Sequence, residues 1–215
     1  YPSYEYTIEQ AVEEGILCDY TITLHKVKLD DSKPLHRGRS EKAKFFALEK
    51  AIEKAKKEEK DTFFLYLQQI QLIQGSISKM EKTKDLLMVY REQRVLGFCG
   101  TTEIADQLGA PVYHSKKREK GILEEFCKGK GSPHLITIKM AQAGLTIVPI
   151  NIGLINYTSG NPEEKAQKIC RFLGFEYDNP EKKAEIHIVI SDEKFETDRI
   201  STALMFFNKE KIKYK

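Results

Sequence analysis

Apolar residues recur along the chain in two rhythms. Through residues 41–74 they return every three or four positions, as Phe45, Leu48, Ile52 and Ala55 and then as Phe63, Tyr66, Leu67, Ile70 and Ile73. Lysines, glutamates and glutamines fill the gaps, so the spacing predicts two helices with one packed face each. Gly75 ends the second, and Ser78 with Glu81 reads as a capping box that opens a third helix through Leu86, Leu87 and Tyr90. A shorter helix is expected at the start, where Thr7 and Gln10 have capping-box spacing and Gly15 is placed as a stop. Between Cys18 and Leu29, the alternation of Tyr20, Ile22 and Leu24 predicts a strand.

From Arg94 the rhythm changes to short continuous apolar runs separated by turns and helical stretches. Residues 95–99 form one such run, followed by Gly100, Thr101 and Thr102, where a threonine can cap the helix that continues to Leu108. Residues 111–114 predict a short strand ending in His114, and residues 116–126 a helix with Ile122, Leu123 and Phe126 on its apolar face. Runs at 135–138 and 151–157 enclose a glycine-containing loop. A polar helix over 161–174 then carries one arginine, Arg171, among apolar neighbours that make it look buried. A strand over 184–190 with His187 in or beside the core, a closing helix over 192–207 and a frayed basic tail complete the expectation. Continuous apolar strands alternating with helices predict an α/β domain with a parallel sheet, which places ligand loops at the C-terminal ends of its strands.

The stretch from His134 to Gly174 also resembles motifs V and VI of superfamily 2 helicases. The resemblance rests on a strand ending in Thr137, Gly144 seven positions later, Pro149, a second strand, and a helix carrying Gln167 and Arg171. Residues 95–102 resemble motif IV, and residues 4–20 resemble the segment that leads from the first motor lobe into the second. The similarity is to the second RecA-like lobe, in the branch that includes phage and type III restriction helicases. It implies that residues 1–93 are a linker strand and helical segment leading from a missing first motor lobe, and that residues 94–215 are a RecA-like C-terminal lobe. A first residue other than Met fits a piece of a longer chain. The chain departs from the family pattern at Thr146, where an Asp is usual, at Cys170, where a Gly is usual, and at Gly174, where a second Arg is usual.

The resemblance implies an ATP-dependent motor in which Arg171 and Gln167 act on the nucleotide. Gly144, Thr146 and Arg171 would hold it, and Mg2+ would be held mainly by the missing first lobe. Nucleic-acid backbone contacts would come from Gly100, Thr101, Thr102, His114, Lys116, Thr137 and Lys139, with DNA expected in preference to RNA. The run Gly129-Lys130-Gly131-Ser132 lacks the upstream glycine of a phosphate-binding P-loop, so this segment alone is expected to be inactive. Arginine suits the developing γ-phosphate charge because its own charge is permanent and its planar fork matches phosphate oxygens. Lys168 is a candidate to stand in for the second arginine. The alternatives are a degenerate lobe that binds nucleic acid or a protein partner without hydrolysis, and an unrelated α/β domain.

Composition changes little of this. The 215 residues are 40% hydrophobic and carry a net charge of +3, enough for a substantial core and too near balance to argue nucleic-acid binding alone. Lysine and arginine concentrate at residues 26–60, including Arg37 and Arg39 in a loop, and at residues 114–130. Either stretch suits a phosphate backbone or a solvated face. The four cysteines are scattered without close pairing, which predicts reduced thiols in the cytoplasm, that of the host if the source is a phage. No apolar run is long enough to predict a membrane span.

Overall fold

The computed structural model describes residues 6–32, 40–116, 120–138, 150–157, 161–174, 176 and 179–215. Seven strands form one sheet: β1 (Asp19–Val27), β2 (Val95–Cys99), β3 (Val112–Tyr113), β4 (His134–Thr137), β5 (Ile152–Asn156), β6 (Lys183–Ser191) and β7 (Ile212–Tyr214). Their order is β3-β4-β2-β5-β6-β1-β7, and every pairing is parallel. Strands β2 and β5 are buried along their whole length, which is why they read as unbroken apolar runs.

Eight α-helices accompany the sheet among the described residues: α1 (Ile8–Glu13), α2 (Glu41–Lys57), α3 (Phe63–Gln74), α4 (Ile77–Val89), α5 (Thr102–Gln107), α6 (Lys120–Cys127), α7 (Pro162–Cys170) and α8 (Lys194–Leu204). One face of the sheet packs Leu123 and Phe126 of α6, Ala166 and Ile169 of α7, and Ile200 and Leu204 of α8 against Ile22, Leu96 and Ile188. The other packs Leu86 and Leu87 of α4 and Ile104 of α5 against Val95, Ile152 and Val189. Helices α2 and α3 form a smaller cluster with Leu29, just past the end of β1, through Phe45 and Ile73.

Local signals at the start of the chain are realised. Thr7 and Gln10 make the reciprocal capping box, and Gly15 follows α1 at φ 68°, a left-handed conformation open to glycine without steric cost. Four expectations are corrected. The cap of α4 is Ser76, whose hydroxyl accepts from the Lys79 amide, so Ser78 and Glu81 lie inside the helix. The stripe on α3 is mostly not core: Ile73 is buried, whereas Phe63 is 58% exposed and Leu67 37%. The helix expected from Lys116 has its described span at Lys120–Cys127. The basic tail is ordered, because Lys211 bonds Glu9 at 2.9 Å and Asp19 at 3.0 Å and delivers Ile212–Tyr214 to the edge of β1.

Buried polar groups tie the helical insert to the sheet. Glu41 accepts from the amides of Asp30 and Ile77 and from the Ser76 hydroxyl, joining the entry loop, α2 and α4. Lys79 of α4 donates to Glu196 of α8 at 2.6 Å, with 0% and 1% of the two side chains exposed. The second oxygen of Glu196 accepts from the Ser191 amide. Close approach is also built into β5, where a Cβ on Gly153 would lie 2.5 Å from the Phe172 ring. Gly153→Ala is therefore expected to cost about 1–3 kcal/mol through overpacking, read as a lower thermal midpoint.

His187 sits in the sheet as expected, paired with His25 of β1 across 3.0 Å. Burial drives the His25 pKa down to about 4, and the neighbouring His187 adds to the effect; burial likewise lowers His187. Glu185 opposes the shift at His187, while Lys82 and Lys215 reinforce it, and Tyr90 packs its ring 5.0 Å from that of His187. Both folded-state values lie below that of a free histidine, so the pair contributes stability above about pH 6.5 that is lost as pH falls through the folded values. Denaturant titrations between pH 7 and pH 4.5 should show a drop of order 3 kcal/mol at most from His25, flattened in His25→Asn.

Candidate functional site

The expected nucleic-acid residues share one edge of the sheet. Strands β3, β4 and β2 are neighbours and parallel, so Thr137, which closes β4, lies at the same edge as His114 and the Gly100–Thr102 turn, which follow β3 and β2. Thr101 caps α5 by accepting from the Ile104 amide at 3.2 Å, and the Thr102 hydroxyl donates to Glu103. Gly100 has a packing reason to lack a side chain, since a Cβ there would meet the Gln74 amide group and Tyr157 at 2.9 and 3.0 Å.

His114 is buried and turned inward. Its Nδ1 accepts from the Lys116 amide at 3.3 Å and its Nε2 faces Asp106 at 3.4 Å, so the ring fastens the loop that presents Lys116. The Lys116 side chain is exposed, 3.8 Å from Glu103. Thr137 is buried, and its hydroxyl has no hydrogen-bond partner. Lys139, Gly144, Thr146, Arg37 and Arg39 lie outside the described residues.

Gln167 and Arg171 stand elsewhere. Asn161 caps α7 through the amides of Glu163 and Glu164, and Pro162 occupies the first turn, where its missing N–H costs nothing. Lys165, Ala166, Lys168 and Ile169 turn inward, which leaves Glu163, Gln167 and Arg171 in line, four residues apart, on the outer face. Arg171 is exposed, not buried: a 3-10 turn at Arg171–Leu173 rotates Phe172 and Leu173 into the core and the arginine out. Gln167 and Arg171 line a groove of about 860 Å3 whose opposite wall is Tyr6, Thr7, Met205 and Phe206. Lys168 does not join them, because its ammonium bonds Glu164 and lies 4.4 Å above the Tyr157 ring.

Helix α7 starts beyond the C-terminal end of β5 and returns to the start of β6. Its last residues therefore sit at the opposite edge of the sheet, where Gly174 bridges to Leu17 just before β1. At about 1.5 Å per residue, the helix separates Arg171 from the strand-end residues by roughly 13 Å along its axis. The sheet thus offers two surfaces, a polar strand-end edge and an amphipathic groove with one arginine.

The sequence reading missed a set of buried lysines, Lys79, Lys165 and Lys168, whose ammonium groups bond Glu196, the carbonyl oxygen of Arg199 and Glu164. Its visible signal was two lysines three apart on the apolar face of α7, breaking the pattern of Ala166 and Ile169. Among the described residues no three His, Cys, Asp or Glu side chains converge as a metal site, and no helix is long and apolar enough to cross a membrane. The four cysteines are free thiols.

No family profile and no curated protein sequence matches the chain. Solved structures do. The ATP-dependent type ISP restriction-modification enzyme LlaBIII bound to DNA aligns over 98% of this chain and 16% of its own, with a TM-score of 0.57 and 12% identity. The C-terminal domain of the DEAD-box protein Dbp5 aligns over 66% of this chain and 85% of its own, with a TM-score of 0.52 and 17% identity. S. cerevisiae Dbp5 bound to RNA and ADP BeF3 aligns over 64% of this chain, with a TM-score of 0.53 and 14% identity; the chain spans 38% of its length. At such identities the likeness establishes the fold: the chain is a RecA-like α/β lobe, a parallel sheet flanked by helices.

Proposed function

We propose that the chain is the second motor lobe of an ATP-dependent superfamily 2 helicase or translocase, of the phage and type III restriction branch. The observation that carries this is the placement of Gln167 and Arg171 on the exposed face of α7, lining one groove, on a fold shared with helicase lobes. In the proposed complex the α7 groove faces the first lobe, so that Arg171 reaches the nucleotide phosphates and Gln167 orients them. Gly144 and Thr146 complete the nucleotide contacts, and Mg2+ is held mainly by the first lobe. ATP supplies the energy of stepping, and this lobe alone hydrolyses nothing because it lacks a P-loop.

The strand-end edge takes the nucleic-acid backbone. Thr101 and Thr102 present the turn after β2, Lys116 supplies charge on the loop fastened by His114, and Thr137 closes β4; Lys139, two residues on in the sequence, is assigned the same role. Such contacts grip phosphate without base preference. DNA is the proposed track, although the aligned structures include one bound to DNA and another bound to RNA. The cytoplasm is the proposed compartment, in keeping with four free thiols.

A second reading is favoured by specific residues. Gly174 and Cys170 remove the second arginine and the usual glycine, Thr146 removes a carboxylate, and Lys168 is turned away from the groove. On that reading the lobe binds nucleic acid or a protein partner without hydrolysis. The deciding experiment joins the chain to its upstream lobe and measures nucleic-acid-stimulated ATP hydrolysis for wild type and Arg171→Ala. Stimulated turnover that depends on Arg171 supports the motor. Nucleic-acid binding with no turnover in the joined wild type supports the second reading.

A further inference from the structure

The turn that carries Arg171 is gripped from three sides. Helix α7 ends at Cys170, and the 3-10 turn Arg171–Leu173 leads into Gly174, whose φ of −54° and ψ of 126° take the chain out of the helix. A helix end leaves its last carbonyl oxygens without intrahelical donors, and ends without other partners fray. Three consecutive carbonyls here find donors outside the helix. That of Phe172 faces the Cys18 thiol at 4.0 Å, that of Leu173 accepts from the Cys18 amide at 2.9 Å, and that of Gly174 accepts from the Lys182 ammonium at 3.0 Å. On the sheet side the Phe172 ring rests against the bare backbone of Gly153, its centroid 5.6 Å from that of Phe98.

The Lys182 grip is the one made against desolvation. Its side chain is 4% exposed and pairs at 2.5 Å with Glu176, which is 16% exposed. A short turn holds the two together, with the Asn179 amide on the Glu176 carbonyl and the Lys182 amide on the Asn179 carbonyl, both at 3.1 Å. Taking an ammonium and a carboxylate out of water offsets much of their attraction, so the pair is weak evidence of stabilisation. Fixing one geometry is the better-attested use of such pairs. The geometry within reach is that of the arginine turn, and a cation at a helix C-terminus is also held there by the negative end of the dipole. Phe172 and Leu173, between Arg171 and Gly174, are at 0% exposure, so the residues on either side of that packed anchor do not move independently.

We propose that Lys182, held by Glu176, is a positioning residue for Arg171. Its bond to the Gly174 carbonyl keeps the last turn of α7 wound, and so keeps the guanidinium directed into the groove that Arg171 shares with Gln167. Lys182 touches no nucleotide and acts through the backbone of residues 171–174. The catalytic consequence rests on the motor role proposed for Arg171, whereas the hold on the turn does not.

The test compares wild type with Lys182→Met, both in the isotopically labelled chain and in the chain joined to its upstream lobe. In the labelled chain the backbone amide order parameters of Arg171 and Gly174 are expected to fall from about 0.85 to about 0.6, with those of β6 unchanged. In the joined protein kcat for ATP is expected to fall about tenfold while KM and nucleic-acid affinity stay within about twofold, because a misplaced arginine loses an interaction made in the transition state. Lys182→Gln, shorter and neutral, is read in the same way and decides the matter if Lys182→Met does not fold. Unchanged order parameters at Arg171, or an unchanged kcat in an active joined protein, would overturn the proposal. No turnover in the joined wild type counts against the motor reading instead, and the order parameters then decide alone whether Lys182 holds the turn.

Discussion

Replacing Lys79 by alanine is expected to cost about 3–5 kcal/mol of folding stability, the largest single-residue loss anticipated in the lobe. The reason is the loss of the ammonium bonded to a buried carboxylate. Glu196 is 1% exposed, and Lys79→Ala takes away the charge 2.6 Å from it in the core junction between α4, α8 and β6. The Lys79–Glu196 pair need not itself be strongly stabilising, because removing two charges from water offsets much of their attraction. The double substitution Lys79→Met with Glu196→Gln separates the two effects. Gln keeps an acceptor for the Ser191 amide and Met fills the lysine's volume, so the double variant should recover most of the loss in urea titrations. A Lys79→Ala variant within 1 kcal/mol of wild type would show that the insert is not anchored through this pair.

What could be read from the sequence divides along the range of the forces involved. The Thr7 and Gln10 box depends on residues three apart and needs no tertiary partner, so it was legible. Strands β2 and β5 were legible because burial on both faces admits only apolar side chains there. Strand β7 was not. Its three residues join the sheet because Lys211 is caught by Glu9 and Asp19, nearly the whole chain away.

Helix α3 misled in the other direction. Its twelve residues carry no charge and repeat like a core helix, yet of the expected stripe only Ile73 is buried, Tyr66 and Ile70 are half-buried, and Phe63 and Leu67 are exposed. Arg171 was found for its chemistry and misjudged for its setting. Ile169, Phe172 and Leu173 are all at 0% exposure, and a linear reading surrounds the arginine with them. The rotation at the end of α7 places it on the other side of the same turn. The burial of Lys79 and Lys165 was illegible because their partners, Glu196 and the carbonyl oxygen of Arg199, lie far along the chain on α8.

Substituting Arg171 by alanine in the chain joined to its first lobe is expected to lower ATP turnover about a thousandfold, the scale of an arginine that neutralises charge on a transferring phosphoryl group. Nucleic-acid affinity should stay within a few fold of wild type, because Arg171 lies at the opposite edge of the sheet from the strand ends. Arg171→Lys is expected to restore only a minor part, since a point charge cannot reproduce the planar fork. Gly174 supplies the complementary arm. Its φ of −54° suits any residue, and a Cβ there meets nothing within 4 Å, so an arginine can be introduced three positions after Arg171 without steric cost. In a working motor Gly174→Arg should raise turnover, with the gain abolished by Arg171→Ala. In a lobe that has lost hydrolysis, neither substitution moves a rate that is already at background. Measurable turnover left unchanged by Arg171→Ala would refute the role assigned to this arginine.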